Sequence, residues 1–226
     1  MSEVSTNFLD YVDYTKPSFL HALVCIVIAP IIWNTIARLE FYTRFLTKIT
    51  TSPYVGCYLL ALWIFSFSLY RDFLFGKALD EQATHPELQS DLIRGVAAVL
   101  FVSGTTFVLS SMWALGVTGT YLGDYFGILM DKMVTGFPFN ILDNPMYIGS
   151  TMCFLAHSLW RASPAGLVLT VVVYAVYRVA LLFEEPFTAY IYAQREQKRK
   201  SGKAAAAPKA QKAKPKPKNK NKSKKN

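Results

Sequence analysis

A chain of 226 residues with 52% hydrophobic and 17% charged side chains is apolar for a soluble protein of its size, and its length suits one domain with a tail. The formal charge of +9 divides unevenly: residues 195–226 hold fourteen Lys/Arg against Glu196 alone, so residues 1–194 carry a net −4, which argues against a basic nucleic-acid-binding body. Cys25, Cys57 and Cys153 each sit inside an apolar run with no CxxC or Cys/His spacing, which argues against both a disulfide framework and a zinc site.

The N-terminal stretch MSEVSTNFLDYVDYTKP is acidic and lacks the basic region and cleavage site of a signal peptide, so insertion would use the first internal apolar segment. That segment, Phe19–Ala37, opens at Lys16-Pro17 and is interrupted by Pro30. A span needs about 20 apolar residues, so it can cross with a kink or dip in as a re-entrant helix. Residues 38–52 set Arg38, Arg44 and Lys48 against Glu40. Pro53–Leu74 is a second run of spanning length, broken near its end by Arg71-Asp72, and 76–94 is mostly acidic. Gly95–Leu115 is a third run without a charge.

Met146–Trp160 and Gly166–Phe183 follow, joined by a turn containing Ser163-Pro164. Fifteen helical residues rise about 22 Å, short of the ~30 Å hydrocarbon core. The two runs form a helical hairpin that starts after Asn144-Pro145 and ends at Glu184-Glu185, which puts those two points on one membrane face. The expected fold is an all-α polytopic membrane protein of four to five helical segments, the last two a hairpin. Loop charges place 38–52 and the tail in the cytosol and 76–94 in the lumen.

Residues 1–195 form the expected membrane domain, and 196–226 a disordered lysine-rich tail that cannot bury enough surface to fold. Beside a membrane helix such a tail suits anionic lipid head groups, at about 1 kcal/mol per Lys near the surface. It lacks the aromatics and Arg forks of nucleic-acid recognition. Its end, Lys222 to Asn226, fits a K-x-K-x-x retrieval pattern that almost any window of the tail would fit.

Two stretches carry the chemistry. Val117–Gly149 interrupts the apolar pattern with Gly119, Gly123, Gly127, Gly136, Gly149, Pro138, Pro145, Asp124, Asp131 and Asp143. In it, Asn144-Pro145 reads as a helix start, with Asn as N-cap and Pro at the first position. Phe137-Pro138-Phe139-Asn140 is a packed turn or a pocket wall. The second stretch is Glu184-Glu185 in EEPFTAYIY: the carboxylates point about 100° apart on a helix, and acids with aromatic faces suit a cationic ligand. His21, His85 and His157 show no metal-ligand spacing and read as structural. Ser103-Gly104 and Ser110-Ser111 are small residues that let membrane helices pack closely. No GxSxG, HExxH, P-loop or dinucleotide fingerprint is present.

The stretches PIIWNTIARLE, VLSSMWALGVTGTYLGDYFGIL, VTGFPFNILDNPMYIGST, SPAGLVLTVVVYAVYRVALL and EEPFTAYIYAQR, in order over most of residues 17–195, resemble the small phosphatidylethanolamine N-methyltransferases of the endoplasmic reticulum. More distantly, NPMYIG…EE looks like the layout of isoprenylcysteine carboxyl methyltransferases. The resemblance implies S-adenosylmethionine as methyl donor and phosphatidylethanolamine or its N-methyl derivatives as substrate. It also implies an endoplasmic reticulum membrane location, with the mitochondrial membrane a second one. It implies donor binding by the paired glutamates, Glu184 and Glu185, and by a Gly-x-Gly element. That element departs here to Val102-Ser103-Gly104, eight to ten residues inside the membrane by the topology above. Asn144, Pro145, Tyr147 and Gly149 complete the expected donor site.

A protonated head-group amine must lose its proton before it can attack. Glu185, Asp124, Tyr125 and Tyr147 are candidates for taking it, and Arg38 or Lys132 for holding the lipid phosphate. The rival readings are a carboxyl methyltransferase acting on prenylated peptides and a non-catalytic scaffold with a lipid-binding tail. Asn144–Gly149 and the glutamate pair are expected to be the two ends of one site, with 119–143 as its cover.

Overall fold

Proline and glycine punctuate the helices where the apolar runs begin and bend. A computed structural model describes residues 8–132 and 134–206; the rest of the expected tail, 207–226, lies outside the described residues. The helices are α1 (Pro17–Thr43), α2 (Phe45–Thr50), α3 (Pro53–Asp80), α4 (Asp91–Thr120), α5 (Pro145–Trp160) and α6 (Pro164–Ala206), with no strand among the described residues. Four of them, α1, α3, α4 and α6, are long and apolar enough to cross a membrane. The fold is therefore the expected polytopic all-α one. Proline at the first turn of α1, α3 and α5 loses no hydrogen bond there and presets the helical φ.

Among the described residues, those up to Ile191 form one compact unit and those from Tyr192 a second. The core of the first unites Phe19, Ile26 and Trp33 of α1, Leu74 and Phe75 of α3, Phe154 of α5, and Leu169, Val173 and Tyr177 of α6. Its helices approach closely through small residues. A Cβ on Gly166 would lie 2.7 Å from Ser158 Oγ and 3.0 Å from Leu79 Cγ, so glycine there lets the α5–α6 hairpin close against α3. Ser158 and Thr170 hydroxyls bond across the hairpin at 3.0 Å, and Arg161 at its turn pairs with Asp80 at the end of α3.

α4 packs chiefly on α5 and buries only Ala97, Gly104 and Ser111. Large apolar side chains such as Val99, Phe101, Val102 and Trp113 are exposed, as befits a helix facing lipid. At Gly116 (φ 64°, ψ −179°) the helical path breaks, a conformation that costs glycine little.

Five sequence expectations are corrected by the structure. Glu40, counted as a loop charge, is fully buried. It caps α2 across the left-handed corner at Arg44 (φ 57°), accepting from the Leu46 amide at 2.7 Å and the Thr47 hydroxyl at 2.5 Å. Arg71-Asp72 does not end the second run: α3 continues to Asp80 with Arg71 buried inside. Asn144 stands at the N-cap position of α5 but makes no side-chain cap bond; its amide is used elsewhere. The last helix does not stop at Glu184-Glu185 but runs through Pro186. Residues 196–206, placed in the tail by composition, continue α6 as helix, with Lys200 and Glu196 one turn apart at 3.9 Å.

Candidate active site

The site grows from Glu184. Burying a carboxylate is costly unless it is hydrogen-bonded, and this one, 9% exposed, is bonded on both oxygens. Oε1 accepts from the Trp33 indole at 2.9 Å and the Asn34 amide at 2.7 Å; Oε2 accepts from the Tyr147 hydroxyl at 2.5 Å. One carboxylate thus ties together α1, α5 and α6. Trp33 and Asn34 were not singled out in the sequence, although they lie in PIIWNTIARLE. An Asn and a Trp side by side toward the end of an apolar run were the available signal, since both carry donors that need a buried acceptor.

Glu185, one residue on, points elsewhere and is exposed. Its Oε1 accepts from Asn144 Nδ2 at 2.9 Å, and its other oxygen has no partner among the described residues. The amide that would cap α5 therefore joins the start of α5 to the glutamate pair, and the two expected ends of the site do meet. Tyr147 packs edge-on against Tyr177, with centroids 4.9 Å apart, and the Tyr177 oxygen accepts from buried Arg71 at 2.8 Å.

Between α5 and α6 lies a cleft of about 170 Å³, lined among others by Asp143, Asn144, Tyr147, Thr151, Tyr174, Tyr177 and Arg178. That is below the ~300–1,000 Å³ of pockets enclosing a whole drug-sized ligand. It suits a small polar group whose remainder lies outside.

Asp124 and Tyr125 approach α6 one turn beyond the glutamates. Thr188 donates to Asp124 at 2.9 Å; Tyr125 is fully buried and stacks on Phe187 at 5.1 Å between centroids. With Phe126, Tyr125 fills a second core cluster with Ala37, Cys57, Leu60 and Ile191. Arg44 donates to the Phe126 carbonyl at 2.5 Å, fastening this turn to the corner after α1. Part of the 119–143 stretch, expected as the site's cover, is thus core.

The remaining expected site residues divide. Gly104 and Gly149 face each other: a Cβ on Gly104 would sit 2.6 Å from the Gly149 carbonyl oxygen, and one on Gly149 2.7 Å from that of Gly104. Their missing side chains make room for the partner helix. Gly104 lies opposite the second turn of α5, because α4 extends well past the level at which α5 begins. Its depth along α4 therefore does not separate it from Asn144. Val102 is exposed and Ser103 partly so, and neither joins the carboxylate cluster. Pro145 is buried at the head of α5.

Arg38 is engaged: its guanidinium donates to the Phe183 carbonyl at 2.8 Å and lies over the Phe187 ring at 4.7 Å. Pro186, lacking an N–H, loosens that turn of α6. Lys132 is exposed in the loop. His85 is buried between the rings of Phe8 and Tyr11, and no group of three or more His, Cys, Asp or Glu suited to a metal occurs among the described residues. The three cysteines are free.

Sequence comparison gives this arrangement a context. A sequence model described as phospholipid methyltransferase matches residues 92–195. The chain is 50% identical over 194 residues to a phosphatidyl-N-methylethanolamine N-methyltransferase of Emericella nidulans, covering 86% of this chain and 95% of that protein. It is 48% identical over 200 residues to the protein of the same name from Saccharomyces cerevisiae, with 88% and 97% covered. It is 47% identical over 190 residues to a phosphatidylethanolamine N-methyltransferase of Homo sapiens, with 84% and 96% covered. No solved structure matches.

Proposed function

The chain belongs to the phospholipid methyltransferase family, and from that premise we propose that it transfers methyl groups from S-adenosylmethionine to the amine of phosphatidylethanolamine-type lipids, ending in phosphatidylcholine. The relatives are named for lipid amines rather than prenylated peptides, so a lipid amine is the acceptor of choice. The observation that carries the reading is the joining of Asn144 to Glu185 and Tyr147 to Glu184 beside a head-group-sized cleft.

When bound, the donor supplies a methyl carbon on a positively charged sulfur. The chain's own contribution is charge, position and a route for one proton. Glu185 presents an open carboxylate oxygen at the Asn144 end of the cleft, which suits a cation. Glu184 acts from behind, its three donors holding α1, α5 and α6 in register. The donor set fits the implied group at this acid end rather than at Gly104, whose space is filled by the α5 backbone.

The acceptor nitrogen must be neutral to attack. Tyr147 lines the cleft and already donates to Glu184; a proton leaving the amine for its oxygen is matched by its own hydrogen passing to the carboxylate. The nitrogen lone pair then forms the N–C bond as the C–S bond breaks. Positioning of the two reactants supplies the larger share of such a displacement. The acid end meets the membrane face, with the donor entering from water and the lipid sideways between helices. The endoplasmic reticulum is the proposed membrane.

The test is a membrane assay offering phosphatidylethanolamine and its mono- and dimethyl derivatives separately. Donor-dependent product, inhibited by S-adenosylhomocysteine, is expected from the monomethyl lipid at least. Purified protein that binds donor but methylates none of the three would overturn the reading.

A further inference from the structure

The run GLVLTVVVYAVYRVALLF carries one charge, and the proposed reaction leaves it unused. Arg178 is exposed along α6, lines the α5–α6 cleft, and has no acid or hydrogen-bond partner among the described residues. An ionisable side chain within a membrane-length helix is expensive unless a partner or pathway uses it. Arg71, an arginine buried among these helices, shows the contrast: it is paired with Asp72 at 2.9 Å and bonded to Tyr177.

The cleft is polarised along α6. At one end are Asp143 and Asn144, the latter bonded to Glu185. Arg178 lies seven residues before Glu185, about 10 Å lower on the helix, with Tyr177 beside it. The Tyr177 oxygen accepts from Arg71, so its own hydroxyl hydrogen remains available to an anion. A cation-seeking end and an anion-seeking end two helical turns apart complement a zwitterion.

From this geometry we propose that the α5–α6 cleft is the head-group subsite of the lipid acceptor, with Arg178 binding the phosphate and Tyr177, braced by Arg71, donating a second hydrogen bond to it. The inference rests on the lipid-amine reading above and deepens it. It places the amine toward Tyr147 and Glu185, the phosphate lower on α6, and the acyl chains beyond, the same vertical order as in a lipid of the adjoining leaflet. Arginine suits the task because its fork meets phosphate oxygens in pairs.

The experiment uses the full-length protein in detergent micelles containing phosphatidyl-N-methylethanolamine at graded mole fraction, with donor varied independently. Arg178→Gln is expected to raise the KM for lipid about tenfold or more, the loss of one charge-assisted contact. Donor affinity by calorimetry and the melting midpoint should not move. Arg178→Lys should recover most of the loss by keeping the charge, and Tyr177→Phe should raise the lipid KM by a smaller factor. An unchanged lipid KM in Arg178→Gln overturns the assignment, as does an equal change in donor affinity; Arg178 is then an interfacial anchor only. Because the wild-type enzyme is assayed alongside, its failure to methylate any lipid would strike the proposed function, whereas a normal wild type beside an unaffected variant strikes this inference alone.

Discussion

Glu184 and Glu185 are chemically identical neighbours with opposite environments. Glu184 is enclosed by three donors from two other helices, and Glu185 keeps an open oxygen. Glu184→Gln replaces an acceptor oxygen by an amide that cannot accept from all three donors, so at least one buried donor loses its partner. A loss of about 1–3 kcal/mol of stability is expected, read as a lower melting midpoint in detergent. Glu185→Gln should leave that midpoint unchanged and weaken donor binding severalfold in calorimetry. Tyr147→Phe removes the proposed relay atom while preserving the ring against Tyr177. Its kcat should fall at least tenfold with donor affinity retained, within the range a positioned acid–base group contributes.

At the scale of elements, the close crossing of α4 and α5 depends on two glycines that touch each other's backbone. Gly149→Leu would force the helices apart, costing about 1–3 kcal/mol as overpacking does, measurable by thermal unfolding. Gly104→Leu should behave alike, its damage following from unfolding rather than from a lost donor contact. The opposite pattern, donor binding abolished by Gly104→Leu and spared by Glu185→Gln, would reassign the donor site to α4. Ser103-Gly104 was legible as a close-packing element, but only the distance to Gly149 identifies the helix it packs against. Similarly, Asn144-Pro145 was readable as a helix start. That the Asn amide forgoes capping for Glu185 depends on a residue 41 positions away, which no local pattern encodes.

For the whole molecule, the four membrane-length helices establish a multi-pass protein, and the charge partition leads to a separate prediction at the bilayer surface. The fourteen basic residues from 195 onward follow the glutamate pair in sequence. Removing residues 207–226 should weaken binding of the protein to anionic vesicles and flatten its salt dependence, since screened lysines act only near the surface. The specific activity of the reconstituted enzyme should be retained. Vesicle co-sedimentation with and without added salt checks the first outcome, and a lipid-methylation assay the second.

Length, the spacing of apolar runs and the distribution of charge by themselves determined that the chain is helical, polytopic and hinged on a terminal hairpin, because periodic burial and bilayer thickness are local constraints. They also singled out Glu184, Glu185, Asn144 and Tyr147, because polar groups at the edge of hydrocarbon stand out against their neighbours. Only the tertiary structure decided that Glu184 is the strut and Glu185 the open acid, that Trp33 and Asn34 bond to Glu184, and that Glu40 and Arg71 are buried rather than marking loops or ends. Burial and hydrogen-bond partnership are properties of helices brought together, and a single residue step, about 100° around the helix, separates a solvated carboxylate from an enclosed one.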